Sequence, residues 1–160
     1  MSIGRDVFRN CRGLSGELRL PESLTSIGND AFRGCSSFSG ELRLPESLAS
    51  IGFGAFRDCS GFRGTLRLPD NIRIIGQSSF RGCSGFSGEL HIPESVTSIG
   101  ESASYGCNKI ERVIFHNRNT AINPFLIPYS DIVIVGYRHS TAESYAREYG
   151  LVFEELEEEG

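Results

Sequence analysis

The chain has 160 residues, enough for one domain, and its 20 acidic and 16 basic side chains give a formal net charge of −4. Five of the acids lie in the last seven residues, so the rest of the chain is close to neutral. A near-neutral body argues against nucleic acid as a partner, because phosphate binding favours a net basic surface. The sequence has no run of 18 apolar residues, so it predicts no membrane insertion.

A 24-residue repeat organises most of the chain. The stretch GELRLPESLTSIGNDAFRGCSSFS opens at Gly16, and related copies open at Gly40, Gly64 and Gly88. The period is clearest in the cysteines, which are Cys11, Cys35, Cys59, Cys83 and Cys107. A repeat of this length predicts a solenoid, in which each turn packs only on its neighbours.

The chain starts within a repeat, because Ile3-Gly4 matches Ile27-Gly28 and the later Ile-Gly pairs. We therefore expect no signal peptide at this end. We also expect either that the chain is a fragment of a longer protein or that another subunit covers its N-terminal face, since solenoid ends need caps. Self-association through this uncapped end is a further expectation.

Each full turn is predicted to begin with a short strand that a proline ends. In Glu17–Leu20, alternation points Leu18 and Leu20 inward, and Pro21 has no amide to donate to a ladder. The Gly after each Ile is expected to adopt an unusual conformation or to allow close backbone approach. Further apolar side chains are expected to complete the core: Leu24/Ile27, Leu48/Ile51, Ile72/Ile75, Val96/Ile99, Phe32, Phe56, Phe80, Phe38, Phe62 and Phe86.

The lone cysteine of each turn is predicted to be a small buried core residue. Disulfide frameworks and zinc sites show close pairs such as C-x-x-C, and this chain has none. Equivalent positions of stacked turns lie about 4.8 Å apart, so five free thiols should form a file. Metal binding or oxidation is the alternative if that file is exposed.

Two departures from the repeat come late in the chain. Ser104 stands where the earlier turns have phenylalanine, and the adjacent Tyr105 is expected to fill that space. The fifth strand is one residue closer to its cysteine than the fourth. Aligning Val113 and Phe115 with the inward pair leaves Arg112 and Ile114 outward.

Residues 117–153 are predicted to form a C-terminal cap, after repeats that span residues 1–116. The stretch Asn117–Tyr129 is the least regular, and Ile132–Val135 is predicted to be a buried strand. Ser140 and Glu143 form a capping box for a helix that should end at Gly150, before a last strand at Leu151–Phe153. Residues 154–160 are expected to be a solvated acidic tail.

The pattern L-x-L-P-x-S-hydrophobic-x-x-I-G-x-x-A-F-x-x-C resembles the BspA-like leucine-rich repeats of bacterial and some protist surface proteins. The resemblance covers about Met1–Phe115, and GYRHSTAESYAREYGLVF is similar to the closing segment of such arrays. It implies an α+β repeat solenoid: a right-handed leucine-rich-repeat solenoid with short parallel strands stacked one per rung and a C-terminal helical cap. About five rungs, the first of them partial, are expected. The resemblance also implies an extracellular or cell-surface location and a role in adhesion.

No catalytic or cofactor chemistry is predicted. His91, His116 and His139 do not pair with another His or Cys at ligand spacing in the sequence, and none lies in a nucleophile motif. The glycines follow the repeat and form neither a dinucleotide-binding nor a P-loop motif. We therefore expect a non-enzymatic protein with no cofactor and no metal site.

The repeat instead offers an exposed strand face. Outward positions are expected to stack into one file with Glu17, Glu41, Thr65, Glu89 and Arg112 and a second with Arg19, Arg43, Arg67, His91 and Ile114. The polar and charged members of both files are the candidate ligand-binding residues. One interpretation is that cross-strand ion pairs merely keep the sheet soluble. The other is that the arginine file binds carboxylate, sulfate or phosphate groups. A further file of Arg9, Arg33, Arg57 and Arg81 is expected to serve solubility.

The sequence thus favours an interaction or adhesion module of a bacterial surface or secreted protein. Its ligand would be a host or cell-surface protein or an acidic glycan, bound through the strand face. The first alternative is a structural spacer in a larger surface protein. The second is an accessory domain of a glycan-active enzyme, which would need a pocket with convergent carboxylates.

Overall fold

Six two-residue strands, one per turn, form a parallel sheet along one side of the computed structural model, which describes residues 1–124 and 131–157. The two residues of each strand lie opposite those of the next turn, as Ser26 lies opposite Ser50. The strands of this sheet, in spatial order, are β1 (Ser2–Ile3), β2 (Ser26–Ile27), β3 (Ser50–Ile51), β4 (Ile74–Ile75), β6 (Ser98–Ile99) and β8 (Ala121–Ile122).

A second parallel sheet contains the longer strands of the C-terminal half. Its order is β10-β9-β7-β5, where β5 is Ser87–Ile92, β7 is Lys109–Phe115, β9 is Val133–Gly136 and β10 is Val152–Glu155. Leu90 lies opposite Val113, and Ile92 lies opposite Phe115. The predicted alignment of β7 is therefore confirmed, and the register shifts by one residue between Gly88 and Glu89, where Glu111 of β7 has no Cα partner.

The strand predicted at Glu17–Leu20 is not a regular strand in the first three turns. Isolated bridges join those turns there, such as Gly16 to Phe38 and Arg43 to Arg67. A positive-φ glycine precedes each of these segments, and a proline without an amide follows it, so little ladder can form. β5 becomes a full strand because its partner β7 has Ile110 opposite Gly88 and no proline after Phe115.

The solenoid has six turns in the described residues, not about five. The sixth was missed because Ala121-Ile122 replaces Ser-Ile and follows the previous pair after 23 residues instead of 24. The hydroxyl of Thr120 donates to the carbonyl of Val96, and the amide of Asn123 donates to that of Ile99. This turn therefore lies within the stretch predicted to be irregular, whose part beyond Pro124 lies outside the described residues.

Stacked phenylalanines fill the core. The rings of Phe8, Phe32, Phe56 and Phe80 follow one another with centroids 5.1–5.6 Å apart. A second stack contains Phe38, Phe62 and Phe86, at 6.0 and 6.2 Å, and it meets the first edge-on. Burying one such side chain stabilises the fold by about 1.5–3 kcal/mol.

Tyr105 does not continue the first phenylalanine stack, contrary to expectation. Ser104 is buried at the stack position, whereas Tyr105 is half-buried. The Tyr105 ring lies 4.9 Å from the guanidinium of Arg81, where it extends the Arg9/Arg33/Arg57/Arg81 file. The repeat explains this result, because Tyr105 has the repeat position of Arg33, Arg57 and Arg81, which are only half-buried, and not that of the phenylalanines.

The cysteine file is confirmed. Cys35, Cys59, Cys83 and Cys107 are buried, Cys11 in the first turn is half-buried, and all five are free thiols.

A short helix, α1 (Thr141–Tyr149), packs against β8, β9 and β10. The amide of Glu143 donates to the Ser140 hydroxyl, and the Glu143 carboxylate accepts from the His139 amide. Gly150 ends the helix with a φ of 65°. The predicted capping box and C-cap are therefore confirmed. No helix in the described ranges is both long enough and apolar enough to cross a membrane.

The last strand is longer than predicted. β10 continues to Glu155, and the amide of Leu156 donates to the carbonyl of Gly136. Glu154 and Glu155 are therefore sheet residues rather than the start of a solvated tail. The last three residues of the predicted tail, 158–160, lie outside the described residues.

Candidate functional site: the strand face

The predicted ligand-binding residues lie on the outer side of the turns, and the leucines that alternate with them point into the core. Leu42, Leu66 and Leu90 are buried, whereas the side chains that alternate with them are exposed. The exposed candidates are Glu17, Arg19, Glu41, Arg43, Thr65, Arg67, Glu89 and His91. The alternation inferred from the sequence therefore holds in the structure.

The ion pairs in the first two full turns form within a turn and not across turns. Arg19 lies 3.8 Å from Glu17, and Arg43 lies 3.7 Å from Glu41. The arginine side chains are 89% and 81% exposed, so water screens both pairs strongly. These two guanidinium groups are only loosely held by their carboxylates.

Arg67 continues this file without an ion-pair partner in the described part of the chain. Thr65 stands where the neighbouring turns have glutamate, so the carboxylate two residues before the arginine is missing. Arg43 and Arg67 are joined by a backbone bridge, which places their side chains on neighbouring turns. We name Arg19, Arg43 and Arg67 the arginine file.

Arg112, the last candidate, is held in place by two carboxylates. It lies 3.2 Å from Glu89 and 2.7 Å from Glu154, and its side chain is only 34% exposed. The hydrogen bond that Arg112 donates to the Glu154 carboxylate raises the pKa of Arg112. Next to it in β7, Ile114 is buried despite its outward position opposite Val135. This end of the face is therefore closed, and Arg112 is a structural residue of the sheet more than a free cation.

An acidic file, defined by Glu22, Glu46, Asp70 and Glu94, borders the same face. Arg19, Arg43, Glu22 and Glu46 line one groove of about 510 Å³, with Leu44 and Pro45 among its apolar lining. In the sequence, each of these acids follows the proline of its turn. They were predicted to be polar turn residues and not part of a binding face. Glu17 and Glu41 line this groove beside the two arginines. The face therefore has a wall of arginines with their paired glutamates, an apolar floor and a second wall that is acidic.

A histidine pair lies at the far end of the arginine file. His91 Nδ1 is 3.0 Å from His116 Nε2, and the rings are nearly parallel with centroids 5.3 Å apart. His91 Nε2 lies 3.4 Å from a carboxylate oxygen of Glu89. Burial, and then the neighbouring His91, lower the pKa of His116, while Asp70 and Glu94 act in the opposite direction.

This pair was not predicted from the sequence. The two histidines are 25 residues apart, which is close to one repeat and was the available signal. They line a groove of about 710 Å³ together with Leu68, Asp70, Pro93 and Glu94. His139 is not part of the pair, because it lies before α1 and donates its amide to Glu143.

Comparisons with known proteins agree on the repeat type. The model of the BspA type Leucine rich repeat region matches six copies over residues 1–132. No curated protein matches the chain.

Three crystal structures are similar to the chain. A leucine-rich repeat protein of T. pallidum is 24% identical, with a TM-score of 0.67, and the match covers 96% of this chain and 78% of that one. A leucine-rich repeat protein from Bacteroides ovatus is 20% identical, with a TM-score of 0.44 and coverage of 97% and 52%. A leucine rich cell surface protein from Faecalibacterium prausnitzii is 21% identical, with a TM-score of 0.46 and coverage of 72% and 43%. At 24% identity, the match with the T. pallidum protein supports the fold alone.

Proposed function

The chain belongs to the BspA-type leucine-rich repeat family, and on that premise we propose that it is a non-enzymatic interaction module of a bacterial surface or secreted protein. Its proposed ligand is a polypeptide segment held on the strand face. The observation that carries the proposal is the arrangement of the arginine file opposite the acidic file over an apolar floor.

The charges of this face favour a protein over a polyanion. A sulfated or phosphorylated glycan would gain contacts to the arginine file but would meet the carboxylates of Glu22, Glu46 and Asp70 across the groove. A polypeptide can present acidic, apolar and basic side chains together and so match both walls and the floor. We therefore expect protein ligands to bind more tightly than acidic glycans.

The arginine file is suited to recognition because its groups are available. Arg67 has no carboxylate partner among the described residues, and Arg19 and Arg43 are held only at 3.7–3.8 Å. A guanidinium can form two parallel hydrogen bonds with a ligand carboxylate, and little protein contact has to break first.

The test is a binding screen with a matched control. The variant Arg19→Glu/Arg43→Glu/Arg67→Glu reverses the arginine file, and Arg5→Glu/Arg12→Glu/Arg73→Glu makes the same charge change at exposed arginines away from it. The wild type and both variants are immobilised, checked for folding by circular dichroism, and exposed to extracellular-matrix proteins and sulfated glycans at two salt concentrations. Saturable protein binding that only the first variant loses supports the proposal.

Two outcomes contradict the proposed site or its ligand class. Equal loss in both variants means that net charge, not the strand face, controls binding. Tighter binding of a glycan than of any protein means that the ligand is a polyanion and not a polypeptide. Absence of binding across the screen favours the structural spacer.

A further inference from the structure

We propose that His91 and His116 form a binding site for a divalent transition-metal ion such as Zn²⁺, Ni²⁺ or Cu²⁺. The site goes beyond ligand binding by the arginine file and does not depend on it. It rests on the distance between two ring nitrogens, on the carboxylate behind one ring and on the acidic groove around the pair.

The two ring nitrogens are already at the separation that one ion requires. Zinc–nitrogen bonds are about 2.0–2.1 Å long, so two of them at angles between 90° and the tetrahedral angle place the nitrogens about 2.8–3.4 Å apart. His91 Nδ1 and His116 Nε2 are 3.0 Å apart. An ion can therefore bind both nitrogens without a change in their separation, once each ring turns its lone pair from the line between the nitrogens towards the ion.

The protonation states needed for binding are available without a net change in charge. Each neutral imidazole must present a lone pair to the ion, so the protons lie on His91 Nε2 and His116 Nδ1. The step is a tautomer change within the pair followed by metal coordination. No oxidant or other reactant takes part.

Glu89 stands where histidine ligands of metals usually have an outer carboxylate. It lies 3.4 Å from His91 Nε2, the nitrogen that must carry the proton, and it is held in turn by Arg112 at 3.2 Å. Such a carboxylate fixes the tautomer and the ring orientation and makes the other nitrogen a better ligand. Glu89 thus orients the His91 ring so that its other nitrogen, Nδ1, can bind the ion.

The surroundings leave room for further ligands. No group of three or more His, Cys, Asp or Glu residues in the described ranges is placed to hold an ion, so the chain itself supplies two ligands. Water completes the coordination, and Asp70 and Glu94 line the same groove and contribute negative potential. We expect weaker binding than at a structural zinc site, with Cu²⁺ preferred over Ni²⁺ and Zn²⁺ because imidazole ligands follow that order.

The test is metal titration of the tag-free chain with each histidine changed in turn. Isothermal titration with Ni²⁺ and with Zn²⁺ is performed on the wild type, His91→Ala, His116→Ala and the control His139→Ala, all in a Cys11→Ser background that removes the most exposed thiol. We expect one saturable site per chain, lost in the first two variants and unchanged in the control. The Glu89→Gln variant should bind roughly tenfold more weakly.

A spectroscopic readout separates coordination from indirect effects. On addition of Zn²⁺, the ring-proton NMR signals of His91 and His116 should shift together while those of His139 stay in place. Circular dichroism shows whether each variant is folded. Absence of binding at millimolar Ni²⁺, or equal binding in wild type and His116→Ala, overturns the proposal and identifies the pair as a hydrogen-bonded contact between turns.

Discussion

The thiol of Cys59 donates a hydrogen bond to the carbonyl oxygen of Phe32 in the preceding turn, with Sγ and O 3.0 Å apart. The same bond, over the same separation of 27 residues, joins three further cysteines to a phenylalanine at 2.9–3.3 Å. The recurring cysteine therefore has a structural role, because it fills the core and links successive turns.

Replacing Cys59 should destabilise the fold, whereas the same change at Cys11 should not. Cys59→Ala removes the thiol donor and leaves a small buried void, so we expect a loss of about 1–2 kcal/mol in the free energy of unfolding. Cys11 has only a 3.9 Å contact with the carbonyl of Arg9, and its alanine variant should stay within about 0.5 kcal/mol. Urea unfolding monitored by circular dichroism measures both, and equal losses would contradict a specific role for the bond between turns.

Much of the fold could be predicted from the sequence because each turn repeats the same requirements. The inward Leu and Ile pairs, the two phenylalanine stacks and the cysteine file are core positions, and a side chain that faces the core does so in every copy. The Gly after each Ile was expected to have an unusual conformation or a close neighbour. The structure shows the second, because a Cβ at Gly52 or Gly76 would collide with the backbone of the preceding turn.

The missed features depend on contacts between turns that differ from the consensus. Ala121-Ile122 has alanine where four of the other five turns have serine, and it follows the previous pair after 23 residues. The contact between His91 and His116 joins two histidines that are 25 residues apart and so do not occupy equivalent repeat positions. The closed end at Arg112 depends on Glu154, which comes 42 residues later and joins it only once β10 is in the sheet. Periodicity does not encode such contacts, because each occurs once.

Thiol reactivity should distinguish Cys11 from the other four cysteines. Burial raises the pKa of Cys59 and of Cys107 to about 12, and it also raises the pKa of Cys35 and Cys83. At pH 8 a thiol with such a pKa is thiolate in about one molecule in ten thousand, and the thiolate is the reactive form. We expect iodoacetamide to modify Cys11 alone in the native protein, as mass spectrometry of the peptides would show. Rapid modification of Cys83 without denaturant would mean that the stack opens locally.

The same pKa shifts predict a loss of stability in alkali. An unfolded thiol ionises with a pKa of about 8.5, whereas the buried thiols of the folded chain stay protonated to higher pH. The unfolded state therefore releases protons first, and stability should fall as the pH rises from about 9 towards 12. The control is Cys59→Val, which should show a shallower decline in the midpoint of thermal unfolding. An unchanged slope would mean that other groups dominate in alkali.

Gly61 and Gly13 occupy the same place in the repeat but should respond differently to alanine. A Cβ at Gly61 would collide with the carbonyl oxygen of Phe38 in the preceding turn, and a Cβ at Gly13 would meet no atom within 4 Å. We expect Gly61→Ala to destabilise the protein by about 1–3 kcal/mol through forced backbone shifts. Gly13→Ala should be neutral or slightly stabilising, because it restricts the unfolded chain. Equal urea midpoints for the two variants would show that the turns can separate at no cost.

Replacing Ser79 by alanine should stabilise the protein. Its side chain is fully buried, and its hydroxyl oxygen has no hydrogen-bond partner among the described residues. The equivalent residues of other turns, Ala31, Ala55 and Ala103, are buried at the same position without a polar group. Removing an unsatisfied buried hydroxyl relieves a desolvation penalty of about 1–3 kcal/mol, and the alanine already fits this space in three turns. We therefore expect Ser79→Ala to raise the free energy of unfolding by about 1 kcal/mol in urea titrations. The control is Ser98→Ala, at a half-buried serine of β6. A destabilised Ser79→Ala variant would show that the hydroxyl has a partner in solution and that the serine is part of the packing of its turn.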